Sequence, residues 1–258
     1  MCAALMGDLV SLSLQKKQKL SGGEMKALAV CVVIVFGLLC AALAEADQKT
    51  YVWTIEYLTL PKGGFEVEYW LTATTEDASQ SGDTGYEHQV EVEYGITDHW
   101  DVSLYQIFGN GAGESFKYKG TKFETRYRFG ERGHFFVDPL IYLEYKIGAG
   151  GEKNAVEGKL VLAKDIGKLN IAYNQIVELK FNNGGKAEHE YAAGISYPVH
   201  HSLRIAIEGK GSYTENEHAI GPTISWVGGR VWATLGAVFG LNRNTDNRQI
   251  RFVVGMPF

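Results

Sequence analysis

Segments in which apolar and polar residues alternate fill the chain from residue 65 to its end. The first reads FEVEYWLT, with Phe65, Val67 and Tyr69 on one face and Glu66 and Glu68 on the other. A period of two residues is typical of a β-strand with one apolar and one polar face. About twelve such segments follow one another, each roughly nine to fourteen residues long. The pattern predicts an all-β chain whose strands are long enough to cross a membrane at a tilt.

The connections between these segments alternate in length. The long ones read TEDASQSGDTG, GNGAGES, GAGGEKN, NNGGKA, TENE and LNRNTDN, and the short ones read GITDH, GERG, KDIGK, PVHHS and VGG. A transmembrane barrel has short periplasmic turns on one rim and longer external loops on the other. A soluble sandwich with crossover connections has no reason for this order. Residues 65–258 are therefore predicted to form a transmembrane antiparallel up-and-down β-barrel of about twelve strands.

Two prolines lie within the predicted strands. Pro139 and Pro222 each remove a backbone donor from the sheet. We therefore expect a bulge or a bend in the strand at each of these positions.

The N-terminal region has the features of a cleaved signal peptide. Residues 25–46 contain the basic Lys26, an apolar run and the small-x-small sequence Ala44-Glu45-Ala46. The run is short for a membrane anchor and has no stop-transfer charges after it. Residues 1–24 precede this pattern, and we interpret them as a mis-assigned extension, with translation starting at Met25.

Removal of residues 1–46 takes away every cysteine of the chain, which are Cys2, Cys31 and Cys40. The mature chain is then expected to have no disulfide, no thiol nucleophile and no cysteine-based metal site. We predict no cofactor and no metal. The net charge of −5 gives no basic surface for nucleic acid.

Residues 47–64 lie between the signal peptide and the first barrel strand. Their central part, KTYVWTIEYLTL at 49–60, reads as one more strand. Thirteen strands would put the C-terminus outside the cell, so we prefer two other interpretations. In one the segment is a periplasmic lead-in, and in the other it lies inside the lumen.

The chain ends in RQIRFVVGMPF, with apolar residues at alternate positions and an aromatic last residue. In lipid every backbone polar group must be paired, so the last strand is expected to pair with the first. This ending resembles the terminal strand of bacterial outer-membrane proteins. The resemblance implies that Phe258 is an assembly signal as well as an interfacial anchor.

The wider resemblance is carried by LPKGGFEVEYW, by the hairpin VEYGITDHWDVSLY and by the closing RFVVGMPF. These stretches resemble Gram-negative outer-membrane β-barrel families described as porin-like or transporter-like. The resemblance covers nearly the whole mature chain and implies a location in the bacterial outer membrane. The partners that it implies are outer-membrane lipid and lipopolysaccharide, periplasmic chaperones and the barrel-assembly machinery. It implies no particular substrate.

Many charged residues fall on the inward-facing positions of the predicted strands. The predicted lumen-lining residues are Glu66, Glu68, Glu87, Glu91, Glu93, Lys122, Arg126, Arg128, Glu144, Lys146, Arg204, Glu208, Lys210, Arg230 and Arg251. Acidic and basic walls facing each other across water predict a narrow channel or transporter for small polar or charged solutes. The same charges are also consistent with a closed structural barrel whose lumen is filled by ion pairs.

An enzyme is a further alternative. Three histidines, His88, His189 and His218, are expected near the external rim on lipid-facing positions. Outer-membrane lipid hydrolases place a serine two residues from such a histidine, and here Val90, Tyr191 and Ile220 occupy those positions. No catalytic residue is therefore assigned, and a lipid-acting hydrolase is the second alternative to a channel.

Overall fold

The described part of the computed structural model comprises residues 49–181 and 185–258. The predicted signal peptide and residues 1–24 lie outside it. None of the described residues forms a helix long and apolar enough to span a membrane. The twelve strands are β1 (Phe65–Thr75), β2 (Thr84–Thr97), β3 (Trp100–Asn110), β4 (Lys117–Arg128), β5 (Asp138–Gly148), β6 (Ala155–Ile166), β7 (Leu169–Lys180), β8 (Ala187–His200), β9 (Leu203–Ser212), β10 (Glu217–Gly228), β11 (Val231–Gly240) and β12 (Arg248–Pro257).

The strands form one closed antiparallel barrel in which each strand pairs with its sequence neighbours. The circle closes between β1 and β12, from Glu66 opposite Pro257 to Thr75 opposite Arg248. Beyond this ladder the backbone N–H of Phe258 donates to the carbonyl of Phe65 at 2.8 Å. The predicted fold, the strand number and the pairing of the last strand with the first are confirmed.

The outer face of the barrel is an apolar belt. Residues at alternate positions, such as Phe123, Leu143 and Ile207, are half exposed or more. Exposed aromatic side chains lie near both rims, with Trp100 and Trp226 at the short turns and Tyr86, Tyr213 and Phe239 at the long loops. An exposed apolar surface with two aromatic girdles suits a lipid bilayer, so the barrel is an outer-membrane one.

The connections follow the predicted alternation with one exception. Four of the connections at the short-turn rim have two residues each, at 98–99, 167–168, 201–202 and 229–230. The connection between β4 and β5 runs from 129 to 137, longer than the GERG turn predicted there. We call the short-turn rim periplasmic and the opposite rim external.

Neither strand proline produces the bulge expected from the sequence. Pro139 is the second residue of β5 and lies beyond the last β4–β5 pair, so its missing donor interrupts no ladder on that side. The β10–β11 register is the same on both sides of Pro222, although Pro222 itself has no partner in β11. Register shifts occur elsewhere, between Gly95 and Thr97, between Ile107 and Phe108, and between Pro198 and His200.

The hydrophobic core lies inside the barrel and includes residues that precede β1. Tyr51 and Tyr57 pack in a cluster with Leu140 and Val161 of the wall. Val52 and Trp53 belong to a second cluster, with Trp232, Val238 and Val253. The periplasmic half of the lumen is therefore filled by the chain segment that leads into the first strand.

Candidate functional site

Residues 49–60 lie within the lumen, and we call them the plug. Most of the plug is buried, including the continuous run from Thr50 to Thr54. It is not a strand, and it pairs with no edge of the sheet. Buried backbone groups need partners, and the plug takes many of them from side chains of the wall.

The carboxylate of Glu208 on β9 is the main anchor of the plug. It accepts hydrogen bonds from three consecutive backbone N–H groups, those of Val52, Trp53 and Thr54, each at 2.9 Å. The hydroxyl of Thr223 donates to the same carboxylate at 2.6 Å. Glu208 is fully buried, so these donors replace the water that its charge would otherwise bind.

Other wall side chains hold the middle of the plug. Oδ1 of Asn174 accepts from the N–H of Ile55 at 2.6 Å, and its Nδ2 donates to the Ile55 carbonyl at 3.0 Å. Nη1 of Arg251 donates to the carbonyl of Val52 at 2.9 Å. The hydroxyl of Thr234 donates to the carbonyl of Lys49. The plug backbone thus bonds to β7, β9, β11 and β12.

The last residues of the plug are attached to the periplasmic rim. The hydroxyl of Tyr57 donates to the carbonyl of Gly130 at 2.8 Å, within the long β4–β5 connection. The hydroxyl of Thr59 donates to the carbonyl of Asp98 at 2.9 Å, and the N–H of Leu60 donates to Asp101 at 2.9 Å. The β4–β5 connection is longer than the other periplasmic turns, and its Gly130 is bound by the plug.

A dense acidic cluster lies beside the start of the plug, and the side chain of Lys49 reaches into it. Nζ of Lys49 lies 2.7 Å from Glu68, 3.6 Å from Glu91 and 3.8 Å from Glu93. Burial opposes the charge of Lys49, but these carboxylates outweigh it and raise the pKa of the ammonium group. Lys49 therefore remains protonated and joins the plug to the acidic wall.

Above the plug a cavity of about 330 Å³ is lined by polar and charged side chains. We call it the vestibule. Several of its charges are paired along the wall, since Lys122 lies 3.0 Å from Glu144 and Lys159 lies 2.9 Å from Glu157. Its floor is the plug, and its upper lining includes Asp246 from the last external loop.

Two cations of the vestibule have no ion-pair partner among the described residues. Neither Lys210 nor Arg251 has a carboxylate oxygen within the 4.0 Å limit for a salt bridge. Nζ of Lys210 donates to Gln249 at 2.9 Å, and Arg251 donates to Thr72 and to the plug. Both residues line the vestibule, which therefore contains two cations available to an anionic group.

The remaining predicted lumen residues lie in separate places along the wall. Arg126 bonds to Glu93 and Asp101 at the periplasmic end, and Arg128 reaches Thr59 of the plug. The others lie on the inward face: Glu66 bonded to Trp232, Glu87 3.9 Å from Lys119, Lys146 3.6 Å from Glu152, and Arg204 3.2 Å from Ser196.

The prediction for Arg230 was wrong. Arg230 is exposed in the two-residue turn between β10 and β11. The predicted strand began one residue too early, at Arg230 instead of Val231. Sequence reasoning also passed over Asn174, Asp101 and Glu124, although all three lie on inward positions. The predicted lumen residues were all charged, so the uncharged Asn174 was left out although it makes one of the main contacts with the plug.

The last residue packs against the first strand. The ring of Phe258 lies 5.9 Å from the ring of Phe65, next to the hydrogen bond that closes the barrel. Its role as an assembly signal stays a prediction.

No protein-family model and no curated protein matches this chain. Solved structures match it over the barrel. A KdgM porin in complex with disordered oligogalacturonate is 12% identical, with 76% of this chain and 98% of that chain covered and a TM-score of 0.54. A second KdgM porin structure is 14% identical, with coverages of 75% and 98% and a TM-score of 0.53.

A NanC porin is 12% identical, with 74% of this chain and 98% of that chain covered and a TM-score of 0.51. The fold is that of a porin-like outer-membrane barrel. At these identities the likeness concerns the fold, so solute and mechanism must be argued from the residues of this chain.

We expect Glu208→Gln to loosen the plug. The substitution removes the charge that three backbone N–H groups share, and hydrogen bonds to a charged group contribute about 1.5–3 kcal/mol. Thr54→Cys would be the single thiol in residues 47–258, and Thr54 is 4% exposed. Its labelling by a small maleimide should be at least about tenfold faster with Glu208→Gln than without it.

The matched control is Glu217→Gln, which removes an exposed carboxylate near the external rim. It should leave the labelling rate unchanged. Equal rates with and without Glu208→Gln would show that Glu208 does not hold the plug.

Proposed function

We propose that this protein is an outer-membrane channel for small charged or polar solutes, and that its own N-terminal plug closes it at rest. The observation that carries the proposal is a charged vestibule whose floor is the plug. Side-chain hydrogen bonds hold the plug in place, and no strand pairing does. A barrel built only to be closed has no need of a polar cavity open to the external side.

The attachment of the plug favours a removable closure. The plug joins the barrel through residues 61–64, where Gly63 has a positive φ of 77° and the N–H of Gly64 bonds back to Pro61 at 2.8 Å. This turn lies at the periplasmic rim, so the plug can leave the lumen as one segment without breaking a strand pair. Its hydrogen bonds would then be exchanged for bonds to water, which lowers the cost of opening.

The charges of the vestibule indicate the class of solute. Lys210 and Arg251 offer donors to an anionic group, and the guanidinium of Arg251 lies 5.7 Å from the ring of Trp53 and 5.8 Å from that of Trp70. The carboxylates of Glu190 and Glu217 also line the vestibule. A small solute with an anionic group, with or without a cationic one, fits this lining best.

The hydrolase alternative has less support. The rings of His88 and His218 contact tyrosine hydroxyls, at 2.6 Å from Tyr69 and 3.0 Å from Tyr191. A catalytic histidine needs a hydrogen bond to its nucleophile. The closed structural barrel is the stronger competitor, because ion pairs such as Lys122 with Glu144 also suit a filled lumen.

Single-channel recording separates the channel from the closed barrel. The wild-type protein, refolded and inserted into a planar bilayer, should show brief and infrequent conductance steps. A variant with residues 49–60 replaced by a Gly/Ser linker of equal length should conduct almost continuously. If the linker variant is folded, as judged by heat-modifiable gel mobility, and shows no steps, the channel is rejected in favour of the closed barrel.

The unpaired cations should determine ion preference. In the linker variant, Lys210→Gln combined with Arg251→Gln should shift the reversal potential in a salt gradient toward cation selectivity, because two positive charges leave the conduction path. The shift should shrink in about 1 M salt, where the screening length falls to roughly 3 Å.

Arg230→Gln is the matched control, since it removes a positive charge from an exposed turn outside the lumen. It should not change the reversal potential. An equal shift from Arg230→Gln and from the lumenal pair would show that Lys210 and Arg251 do not face the permeating ions.

A further inference from the structure

The acidic cluster beside the plug contains more negative than positive charge. Six buried carboxylates meet there, and among the described residues two cations, Lys49 and Arg126, form ion pairs with them. The carboxylates belong to Glu66, Glu68, Glu91, Glu93, Asp101 and Glu124. Buried charges of one sign repel each other strongly, so such a cluster needs further cations or protons.

Arg126 neutralises one side of the cluster. It donates to Glu93 and to Asp101, and its Nε lies 3.6 Å from Glu124. On the other side, the only cation of the described chain within ion-pair distance of Glu68 and Glu91 is Lys49. The charge of that side therefore depends on a residue of the plug.

The carboxylates around Lys49 have the arrangement of a cation site. One oxygen from each of Glu68, Glu91 and Glu93 lies within 4.8 Å of the others. Ca²⁺ takes oxygen ligands at about 2.3–2.6 Å in a flexible arrangement, whereas Mg²⁺ needs a near-ideal octahedron at about 2.0–2.1 Å and gives up its waters reluctantly. A site built from three carboxylates therefore suits the ligand chemistry of Ca²⁺ better than that of Mg²⁺.

Two further observations point to a ligand. Oε1 of Glu91 is buried and has no hydrogen-bond partner, and Glu91 is completely enclosed. A cavity of about 10 Å³ adjoins Lys49 and is lined by the carboxylates of Glu66, Glu68 and Glu93, together with Arg126, Leu58 and Leu60. That volume is about one water molecule, which is a common additional ligand of Ca²⁺.

We propose that Glu68, Glu91 and Glu93 form a divalent-cation site whose built-in competitor is the ammonium group of Lys49. With the plug in place, Lys49 occupies the site. When the plug leaves the lumen, Glu68 and Glu91 lose their ion-pair partner while Glu93 keeps Arg126, and Ca²⁺ binds in place of the ammonium group. The inference rests on the proposed function only in that the plug is taken to leave.

A consequence for gating follows from linkage. A ligand that binds the open barrel and not the closed one shifts the equilibrium toward the open barrel. Divalent cations should therefore increase the open probability of the wild-type channel. They should not act on a channel in which the carboxylates have been replaced.

The binding test uses terbium, which substitutes for Ca²⁺ and luminesces when a nearby tryptophan is excited. The rings of Trp70 and Trp232 lie 5.1 Å and 6.0 Å from Nζ of Lys49, so an ion at this position is well placed for transfer. In the refolded full chain, Lys49→Gln should bind Tb³⁺ at least about tenfold more tightly than the wild type, because the competitor is gone. Ca²⁺ should displace the ion at lower concentration than Mg²⁺.

Three controls locate the signal. Adding Glu91→Gln and Glu93→Gln to Lys49→Gln should abolish the sensitised luminescence. Lys62→Gln removes an exposed lysine and should behave as the wild type does. Glu188→Gln alters a second acidic group, Glu178, Glu188 and Glu190 near the external rim, and should leave the signal of Lys49→Gln unchanged.

A folded Lys49→Gln variant with the Tb³⁺ affinity of the wild type overturns the proposal and indicates that protons neutralise the carboxylates instead. If Lys49→Gln does not fold, the linker variant serves, since it keeps the three carboxylates and lacks Lys49. Weak Tb³⁺ binding by the folded linker variant also overturns the proposal. Conductance is not the readout, so a failure of the channel and a failure of the cation site are distinguished.

Discussion

Backbone hydrogen bonding in a medium without water is the constraint on which the rest of this structure depends. Each strand in lipid must pair on both edges, and the chain satisfies this by joining β12 to β1. Closure then gives every strand an outside and an inside. The apolar positions face lipid, so the polar and charged positions have to share one narrow lumen.

That lumen determines what the plug is. The buried carboxylates of the wall need hydrogen-bond donors, and the buried N–H groups of the plug need acceptors. The wall and the plug therefore supply each other's hydrogen-bond partners. Glu208 accepts from three backbone N–H groups, Asn174 pairs with both backbone groups of Ile55, and Lys49 enters the acidic cluster. These contacts are polar and exchangeable with water, so in the proposed channel the same wall can hold the plug at rest and line a solute path when the plug is absent.

The alternation of apolar and polar residues predicts the strands and their two faces, because both depend on neighbours along the chain. It predicts the closure of the barrel because unpaired strand edges are not tolerated in lipid. For residues 49–60 the sequence left two positions open, the periplasm and the lumen, because the partners that hold the segment in the lumen, Asn174 and Glu208, lie more than a hundred residues away. The contact of the β4–β5 connection with the plug was equally beyond a local pattern, because Tyr57 and Gly130 lie 73 residues apart. Arg230 shows a limit of the alternation pattern, which assigns residues to the two faces of a strand but does not locate the first residue of the strand.

The proposed channel requires that the plug closes the lumen. The backbone N–H of Thr54 and the hydroxyl of Thr223 donate to the same carboxylate of Glu208, so the two residues are neighbours and the thiols of Thr54→Cys and Thr223→Cys lie within reach of a short linker. A short reducible bis-maleimide should join them, and the open probability of the cross-linked protein should fall to zero in a planar bilayer. Reduction of the linker should restore the openings of the uncross-linked protein. Equal conductance before and after reduction would contradict the account.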